Sequence, residues 1–332
     1  MNSISERPLI TFVICAYKHE QYIAQAIQGA FQQTYSPLEI ILSDDCSPDG
    51  TFRVMQEMAA AYRGPHQIVL NRNSTNLGLA EHSNLLFRRA RGEIFIGSAG
   101  DDVSLPERTA ETYEAFERNK DWTMVVSHVE MFGSKQGIRF SYAQDRRQSL
   151  LEACWSGQLA PSGCSASYRT WISREFPPLE PWCLAEDMAY AFRSALLGAN
   201  GTIPKVLVRY RAAEGSLTHS YQDPDFERKY ILLGASGLRQ NLVDLDEFCR
   251  TRKIRAPLAR FLLEQRIHLL TGSAVPSAYS NLKFSPSVTR RLLNAGKILK
   301  VLHPIQFLQR RLMVKKTIRK VLAENPELKA VA

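Results

Sequence analysis

Four short apolar runs in the first hundred residues, each followed by a turn and a stretch of helical period, constrain this chain more than anything else in it. Residues 9–15 form a near-continuous apolar run, the pattern of a parallel strand buried on both faces. Ile23, Ala26, Ile27, Ala30 and Phe31 then recur at helical spacing. A second strand is predicted over 38–42, ending in the turn-rich string Ser43-Asp44-Asp45-Cys46-Ser47-Pro48-Asp49-Gly50, with a helix over 51–61. A third strand over 66–70 leads through Asn76-Leu77-Gly78 into a helix carrying Leu85, Leu86 and Phe87, and a fourth covers 93–97. Four βα units in succession predict an α/β fold, Rossmann-like, with a mostly parallel sheet and flanking helices. Ligands of such sheets bind beyond the carboxyl ends of the strands, where this pattern collects Tyr17, Asp44, Asp45, Asn76, Asp101 and Asp102.

The sharpest local feature is the apolar run Ile94-Phe95-Ile96 that ends in the adjacent carboxylates Asp101-Asp102. Carboxylate oxygens at a strand end suit Mg²⁺ or Mn²⁺, and those cations suit a diphosphate. The same two acids also suit the start of a helix predicted to begin near Pro106. The pair by itself leaves both readings open.

The chain has 332 residues, of which 45% are hydrophobic and 23% charged, the balance of a soluble globular protein with one large or two ordinary domains. No run approaches the ~18 consecutive apolar residues of a membrane span. Residues 1–8 lack the charged start and apolar stretch of a signal peptide, so the expected location is cytoplasmic. Six cysteines (Cys15, Cys46, Cys154, Cys164, Cys183, Cys249) show no C-x-x-C pairing, which predicts reduced thiols rather than disulfides or zinc.

The net charge of +9 is concentrated at one end. Residues 289–322 hold ten basic side chains and no acid, which leaves the rest of the chain near −1. Val288, Leu292, Ala295, Leu299 and Leu302 recur there at helical spacing, with Arg290 and Lys297 on the other side. Such a helix suits an anionic membrane surface, each basic residue contributing ~1 kcal/mol. A helical hairpin with a solvated basic face is the simpler alternative. Nucleic acid is not an expected partner, because no aromatic stacking platform accompanies the charge.

Taken in order, several strings resemble one family. They are Thr11-Phe12-Val13-Ile14-Cys15-Ala16-Tyr17, the run Glu39-Ile40-Ile41-Leu42-Ser43-Asp44-Asp45, Asn76-Leu77-Gly78 with Asn84, Gly92-Glu93-Ile94-Phe95-Ile96 before Asp101-Asp102, Glu186-Asp187, and Tyr210-Arg211 with Gly215-Ser216-Leu217-Thr218. Together, over roughly residues 8–218, they are similar to the bacterial glycosyltransferases of family 2, which use nucleotide-sugar donors on the GT-A fold.

That resemblance implies an inverting, metal-dependent enzyme adding a single sugar. Ala16 and Tyr17 would line the base pocket, Asp45 would accept a hydrogen bond from the base, and Asn76 and Arg211 would complete the donor site. Asp101 and Asp102 would meet the ribose and the Mn²⁺ or Mg²⁺ ion, with Asp102 the more direct ligand. Asp187 would be the general base and Glu186 would orient the acceptor. The implied partners are a UDP-sugar donor and a glycan or lipid-linked acceptor in bacterial surface polysaccharide or lipid-linked oligosaccharide synthesis, with the enzyme peripheral on the inner face of the cell membrane. Three positions depart from the family's common pattern: Ala99 where an acid is usual, Ser83 where a basic residue is usual, and Ala213 where a histidine is usual, with His219 and His82 as substitutes for the last. A non-catalytic sugar-nucleotide-binding or scaffold protein is the main alternative. A sugar nucleotidyltransferase is a lesser one, because Cys15-Ala16-Tyr17-Lys18-His19 is not a Gly-rich phosphate loop. The expected organisation is a GT-A domain over 1–220, with a donor half over about 8–103 and an acceptor half over 104–220, then a helical region over 221–332 ending in the basic tail.

Overall fold

The computed structural model describes residues 7–139, 147, 149–155, 163–212 and 226–271. Among them nine strands form one mixed sheet. The first unit alternates β1 (Ile10–Ala16), α1 (Ile23–Phe31), β2 (Leu38–Asp44), α2 (Thr51–Ala61), β3 (Gln67–Arg72), α3 (Gly78–Arg89) and β4 (Ile94–Ala99). Its strands lie in the order β3-β2-β1-β4 and pair in parallel throughout, as the apolar runs predict. The pleat sorts their side chains by turns. Ile10, Phe12 and Ile14 with Leu38, Ile40, Leu42, Ile94 and Ile96 share one core with α1 and α2, while Val13, Ile41 and Phe95 face the other side.

Strand boundaries run one or two residues beyond the apolar runs. β3 continues through Asn71 and Arg72, which pair with Ser43 and Asp44, and β4 continues through Ser98 and Ala99, which pair with Ile14 and Cys15. Hydropathy ends where apolar side chains end, but a ladder is built from backbone groups and continues under polar residues.

Beyond β4 the parallel pattern stops. β5 (Val103–Ser104), α4 (Arg108–Arg118), β6 (Trp122–Gly133), β7 (Gly137–Arg139), α5 (Leu150–Trp155), β8 (Ser167–Arg169), α6 (Glu186–Leu197) and β9 (Ala199–Ala212) complete the unit. β8 is antiparallel to β4 and to β6, β7 is antiparallel to β6, and β5 is antiparallel to β9, while β6 and β9 run parallel. Along the sheet β5 sits four places from β4, although only the Gly100-Asp101-Asp102 turn separates them in sequence. Four strand spacings in a flat sheet need about 19 Å. Four residues reach at most about 14 Å. The sheet therefore curls and returns β9 and β5 to the end of β4.

Two further helices, α7 (Phe226–Thr251) and α8 (Pro257–Thr271), follow, in agreement with the expected helical C-terminal region. They close a third core in which Phe192, Ala195 and Leu196 of α6 meet Leu238 and Leu245 of α7 and Leu262, Leu263 and Ile267 of α8. α6 is thus shared between this core and the second face of the sheet, where Ala189, Tyr190 and Ala191 pack. No helix among the described residues is long and apolar enough to cross a membrane. The expected domain boundary near Tyr221 and the basic stretch of residues 289–322 lie outside the described residues.

On the second face the rings of Phe87, Phe95 and Tyr190 stack in sequence, with centroids 3.8 Å and 4.3 Å from Phe87. Truncating the middle ring removes both contacts. Phe87→Ala is expected to destabilise the protein by about 3–5 kcal/mol, read from the urea midpoint; a loss below about 1 kcal/mol would mean that α6 does not rest on this stack.

Candidate active site

The carboxyl ends of β1 and β2 hold the first group of acids. Ala16 pairs with Asp44, and its carbonyl accepts the Asp45 N–H at 2.9 Å. Tyr17 follows at the edge, 39% exposed. Asp44 is fully buried and accepts the Ser47 N–H at 3.0 Å, which closes the turn, with Arg72 Nε 3.4 Å away. Asp45 is 4% exposed and already accepts three hydrogen bonds, from Asn73 Nδ2, the Leu77 N–H and the Gly78 N–H. Asn76 Oδ1 accepts from the same Gly78 N–H. Gly78 has a φ of +75°, in the left-handed region where a glycine avoids the Cβ penalty. Asp45 and Asn76 are thereby brought together by the turn that starts α3.

Behind this edge runs a polar chain that the sequence did not announce. Asn73 Oδ1 accepts from Asn71 Nδ2, Asn71 also donates to Ser43 Oγ, and Ser43 Oγ lies 2.6 Å from His82 Nε2, whose Nδ1 is 3.2 Å from Cys15 Sγ. Burial pushes the His82 imidazole down and the Cys15 thiol up. His82 is therefore a satisfied interior residue of α3 and does not stand in for the histidine absent at Ala213. Ala213 and His219 lie outside the described residues, as does Gly215-Ser216-Leu217-Thr218.

The second group stands on the turn after β4. Gly100 N–H donates to Cys15 O and extends the ladder by one residue, and the chain then turns at Asp101-Asp102. The antiparallel register of β5 with β9 pairs Val103 with Arg209, which sets Asp101 opposite Arg211. The Arg211 N–H donates to Asp102 Oδ1 at 2.9 Å, its Nε to the Asp101 carbonyl at 3.0 Å and its Nη2 to Gln25, with the guanidinium over the rings of Tyr22 and Phe132. Arg211 is thus fastened to the acid turn from 110 residues away, with two of its side-chain donor groups already engaged.

The two acids of this turn differ. Asp102 is fully buried, and its Oδ2 has no hydrogen-bond partner among the described residues. Burial and the neighbouring Asp101 raise its carboxyl to about 7, against the Arg211 N–H and the cations of Arg108 and Arg211. Asp101 is partly exposed. The ranking of Asp102 as the more direct metal ligand does not match this accessibility, because the turn directs Asp102 inward. Sequence reasoning also missed Arg108, only 1% exposed, which donates to Ser104 Oγ and to the Gly97 and Ala166 carbonyls beneath the turn. Burial lowers its guanidinium to about 10. A basic residue two positions after Pro106 carried no signal of burial.

Glu186 and Asp187 are the first two residues of α6, where acids also favour a helix start. Burial, then the Asp187 charge, raises Glu186 to about 8, and burial raises Asp187 as well, although Asp187 Oδ1 accepts the Met188 N–H at 2.8 Å. The 3-10 turn Gly163–Ser165 lies between the two acid pairs. A Cβ at Gly163 would stand 3.0 Å from Asp187 Oδ2, and the charges of Asp102 and Asp101 help burial push up the thiol of Cys164 next door. Glu186, with Asp45 and Asp44, likewise adds to burial in raising Cys15. The donor-side and acceptor-side acids therefore come near one another at the carboxyl edge of the sheet. A groove of about 790 Å³ between residues 174–177 and 247–252 contains none of them.

No group of three or more His, Cys, Asp or Glu side chains forms a metal cluster among the described residues. Two carboxylates, one partly exposed and one with a buried unpartnered oxygen, still fit a Mg²⁺- or Mn²⁺-type ion, which takes one or two protein carboxylates and completes its shell with substrate phosphates and water.

Residues 11–169 match the family described as Glycosyl transferase family 2. EpsE of Bacillus subtilis (strain 168), a glycosyltransferase by name, is 31% identical over 132 residues, which are 40% of this chain and 46% of EpsE. The chain thus spans about half the length of that relative. Among solved structures, residues 1–349 of S. aureus TarS in complex with UDP-GlcNAc align at a TM-score of 0.55 and 18% identity, covering 96% of this chain and 91% of that one. The mannosyltransferase PcManGT from Pyrobaculum calidifontis, in complex with GDP-Man and Mn²⁺, aligns at 0.56 and 17%, covering 95% and 87%.

Glu186 at about 8 and Asp102 at about 7 hold protons that the unfolded chain has already released, so the folded state binds more protons between about 4 and 8 and the ligand-free protein loses stability as pH rises through that window. Glu186→Gln is expected to raise the melting temperature at pH 8, leave it nearly unchanged at pH 4, and flatten the slope between; a slope as steep as the parent's would exclude Glu186 as a source of it. The strand order, the curled mixed sheet and the likeness to these structures give the chain the GT-A fold, and residues 11–169 of it match glycosyl transferase family 2.

Proposed function

We propose that this chain transfers a single sugar from a nucleotide-sugar donor to an acceptor hydroxyl with inversion at the anomeric carbon. Glycosyl transfer is read from the match of residues 11–169 to family 2, and the observation that carries the finer reading is the nearness of the Asp101-Asp102 turn, fastened by Arg211, to the partly buried pair Glu186-Asp187 across the Gly163–Ser165 turn. TarS holding UDP-GlcNAc and PcManGT holding GDP-Man support a nucleotide sugar as donor. Ala16, Tyr17 and the Asp45–Asn76 turn would take the base and ribose. Because all three hydrogen bonds to Asp45 come from the turn between β3 and α3, its role is to fix the shape of that pocket and to offer its remaining lone pairs to the base.

In the transfer step Asp187 takes the proton of the acceptor hydroxyl. That oxygen bonds to the anomeric carbon from the face opposite the diphosphate, the bond from this carbon to the diphosphate breaks, and the electron pair leaves with the nucleoside diphosphate. A carboxylate raised by burial is a better base than one in water, and Glu186 beside it is placed to hold the acceptor. Asp101, partly exposed, is the first ligand of a Mn²⁺ or Mg²⁺ ion in this reading, with Asp102 Oδ2 behind it. Such an ion, when bound, offsets the charge that develops on the departing diphosphate. Arg211 adds a fixed positive charge at the same turn.

The acceptor is read as a glycan or lipid-linked sugar at the inner face of a bacterial membrane, with the basic stretch of residues 289–322 as the contact to anionic lipid. The domain division at about residue 220 belongs to the same reading. Thermal stabilisation by a panel of nucleotide sugars with and without Mn²⁺ identifies the donor. Asp187→Asn is then expected to lower transfer at least about 100-fold while leaving that stabilisation intact, since only the proton acceptor is lost; turnover at the parent rate would remove Asp187 as the base. Truncation before residue 289 should abolish salt-sensitive sedimentation with anionic liposomes, and full retention of that binding would place the membrane contact elsewhere.

A further inference from the structure

The pair Glu186-Asp187 stands at the end of a short segment, residues 177–188, that contributes no strand and is held almost wholly by other elements. α3 grips it first: Asn84 Nδ2 donates to the Leu179 carbonyl and Asn84 Oδ1 accepts the Leu179 N–H, both at 2.8 Å. The other grips come from α6 and from α7, and α7 lies beyond the matched family segment of residues 11–169. Gln240 Oε1 accepts the Glu180 N–H at 3.0 Å, and Ser236 Oγ accepts the Leu184 N–H at 3.0 Å. These oxygens are aimed. The Ser236 hydroxyl donates back to the Leu233 carbonyl one turn earlier, and Gln240 Nε2 donates to Asp244 Oδ1, so each acceptor points at its loop N–H by a second hydrogen bond of its own.

Asp244 in turn forms a bidentate pair with Arg193 of α6, both contacts at 2.8 Å, with the side chains 0% and 1% exposed. Arg193 Nη2 also donates to the Pro177 carbonyl. α7 lies close against the start of α6 at Gly237, where an added Cβ would meet Met188 and Ala185 at 3.2–3.3 Å. Ser236, Gly237, Gln240 and Asp244 thus line one face of α7, and that face is set on both sides of the acidic pair. Uncompensated, a buried guanidinium or carboxylate here would cost several kcal/mol, so the pair holds the two helices in one register and no other.

Resting on the transferase reading above, we infer that α7 is part of the acceptor half of the active site, and that Ser236, Gln240 and Asp244 are positioning residues which hold Glu186-Asp187 at the carboxyl edge of the sheet beside the Asp101-Asp102 turn. The helical region after the sheet is then a component of the catalytic unit rather than an appendage to it.

The test uses the full chain. Asp244→Asn strands a buried Arg193 and risks unfolding, so the informative variants are Ser236→Ala and Gln240→Ala, each removing one aimed acceptor, and Ser236→Thr, which keeps it. Hydrogen–deuterium exchange needs no substrate: both alanine variants should speed exchange across residues 180–188 roughly tenfold, leave residues 10–16 and 94–99 unchanged, and recover protection in Ser236→Thr. With the donor found in the nucleotide-sugar screen, kcat should fall on the order of tenfold or more at an unchanged donor KM, and Ser236→Thr should restore it. Unchanged exchange, or faster exchange with kcat intact, overturns the inference. If no nucleotide sugar binds the parent chain, the transferase reading fails instead, and the exchange result alone decides whether α7 holds the acidic segment.

Discussion

The three-residue turn between β4 and β5 governs the rest of this molecule. It joins strands that stand four places apart in the sheet, over a distance that a flat sheet would not allow. Curling is the only way to satisfy both the ladder and the chain. Once the sheet curls, β9 returns beside the end of β4, Arg211 falls opposite Asp101, and the backbone N–H of one reaches the carboxylate of Asp102. The acid turn is consequently held by a strand more than a hundred residues later, and its charge is balanced from beneath by Arg108.

Burial of charge is the recurrent physical theme. Asp44, Asp102, Arg108, Arg193 and Asp244 are all almost wholly removed from water, and each is held by partners from other elements. The groups divide by how completely they are satisfied. Arg193 and Asp244 saturate each other and act as a structural lock between α6 and α7. Asp102 keeps an oxygen without a partner, and Glu186 and Asp187 carry raised affinities for protons. Incomplete satisfaction costs stability in the free protein, and it is the condition in which a carboxylate binds a cation or takes a proton.

Much of the donor half was legible before any coordinates. Apolar runs located the four parallel strands because both their faces are buried, and the turn residues located the edge at which Ala16, Tyr17, Asp45, Asn76, Asp101 and Asp102 gather. What followed β4 was not legible. β8 and β7 are three residues each, too short for a period, and the antiparallel pairing of β5 depends on a partner in β9. His82 illustrates the same limit from the other side: a histidine among polar neighbours in sequence proves to be an interior link between Ser43 and Cys15. Nor did hydropathy separate Asp101 from Asp102, since adjacent acids read alike until a backbone turn sends one outward and the other in.

By itself the sequence determined the succession of strands and helices, the parallel start of the sheet, the edge where the chemistry lies, and the residue types available there. These follow from local periodicity and turn chemistry, which act over a few residues. Only the tertiary structure decided which acids come near one another, which of two neighbours faces solvent, and which distant elements hold them, as Arg211 holds the Asp101-Asp102 turn and α7 grips the segment before Glu186. Those outcomes depend on strand pairing and helix packing between residues far apart in the chain, and on the burial that such packing imposes.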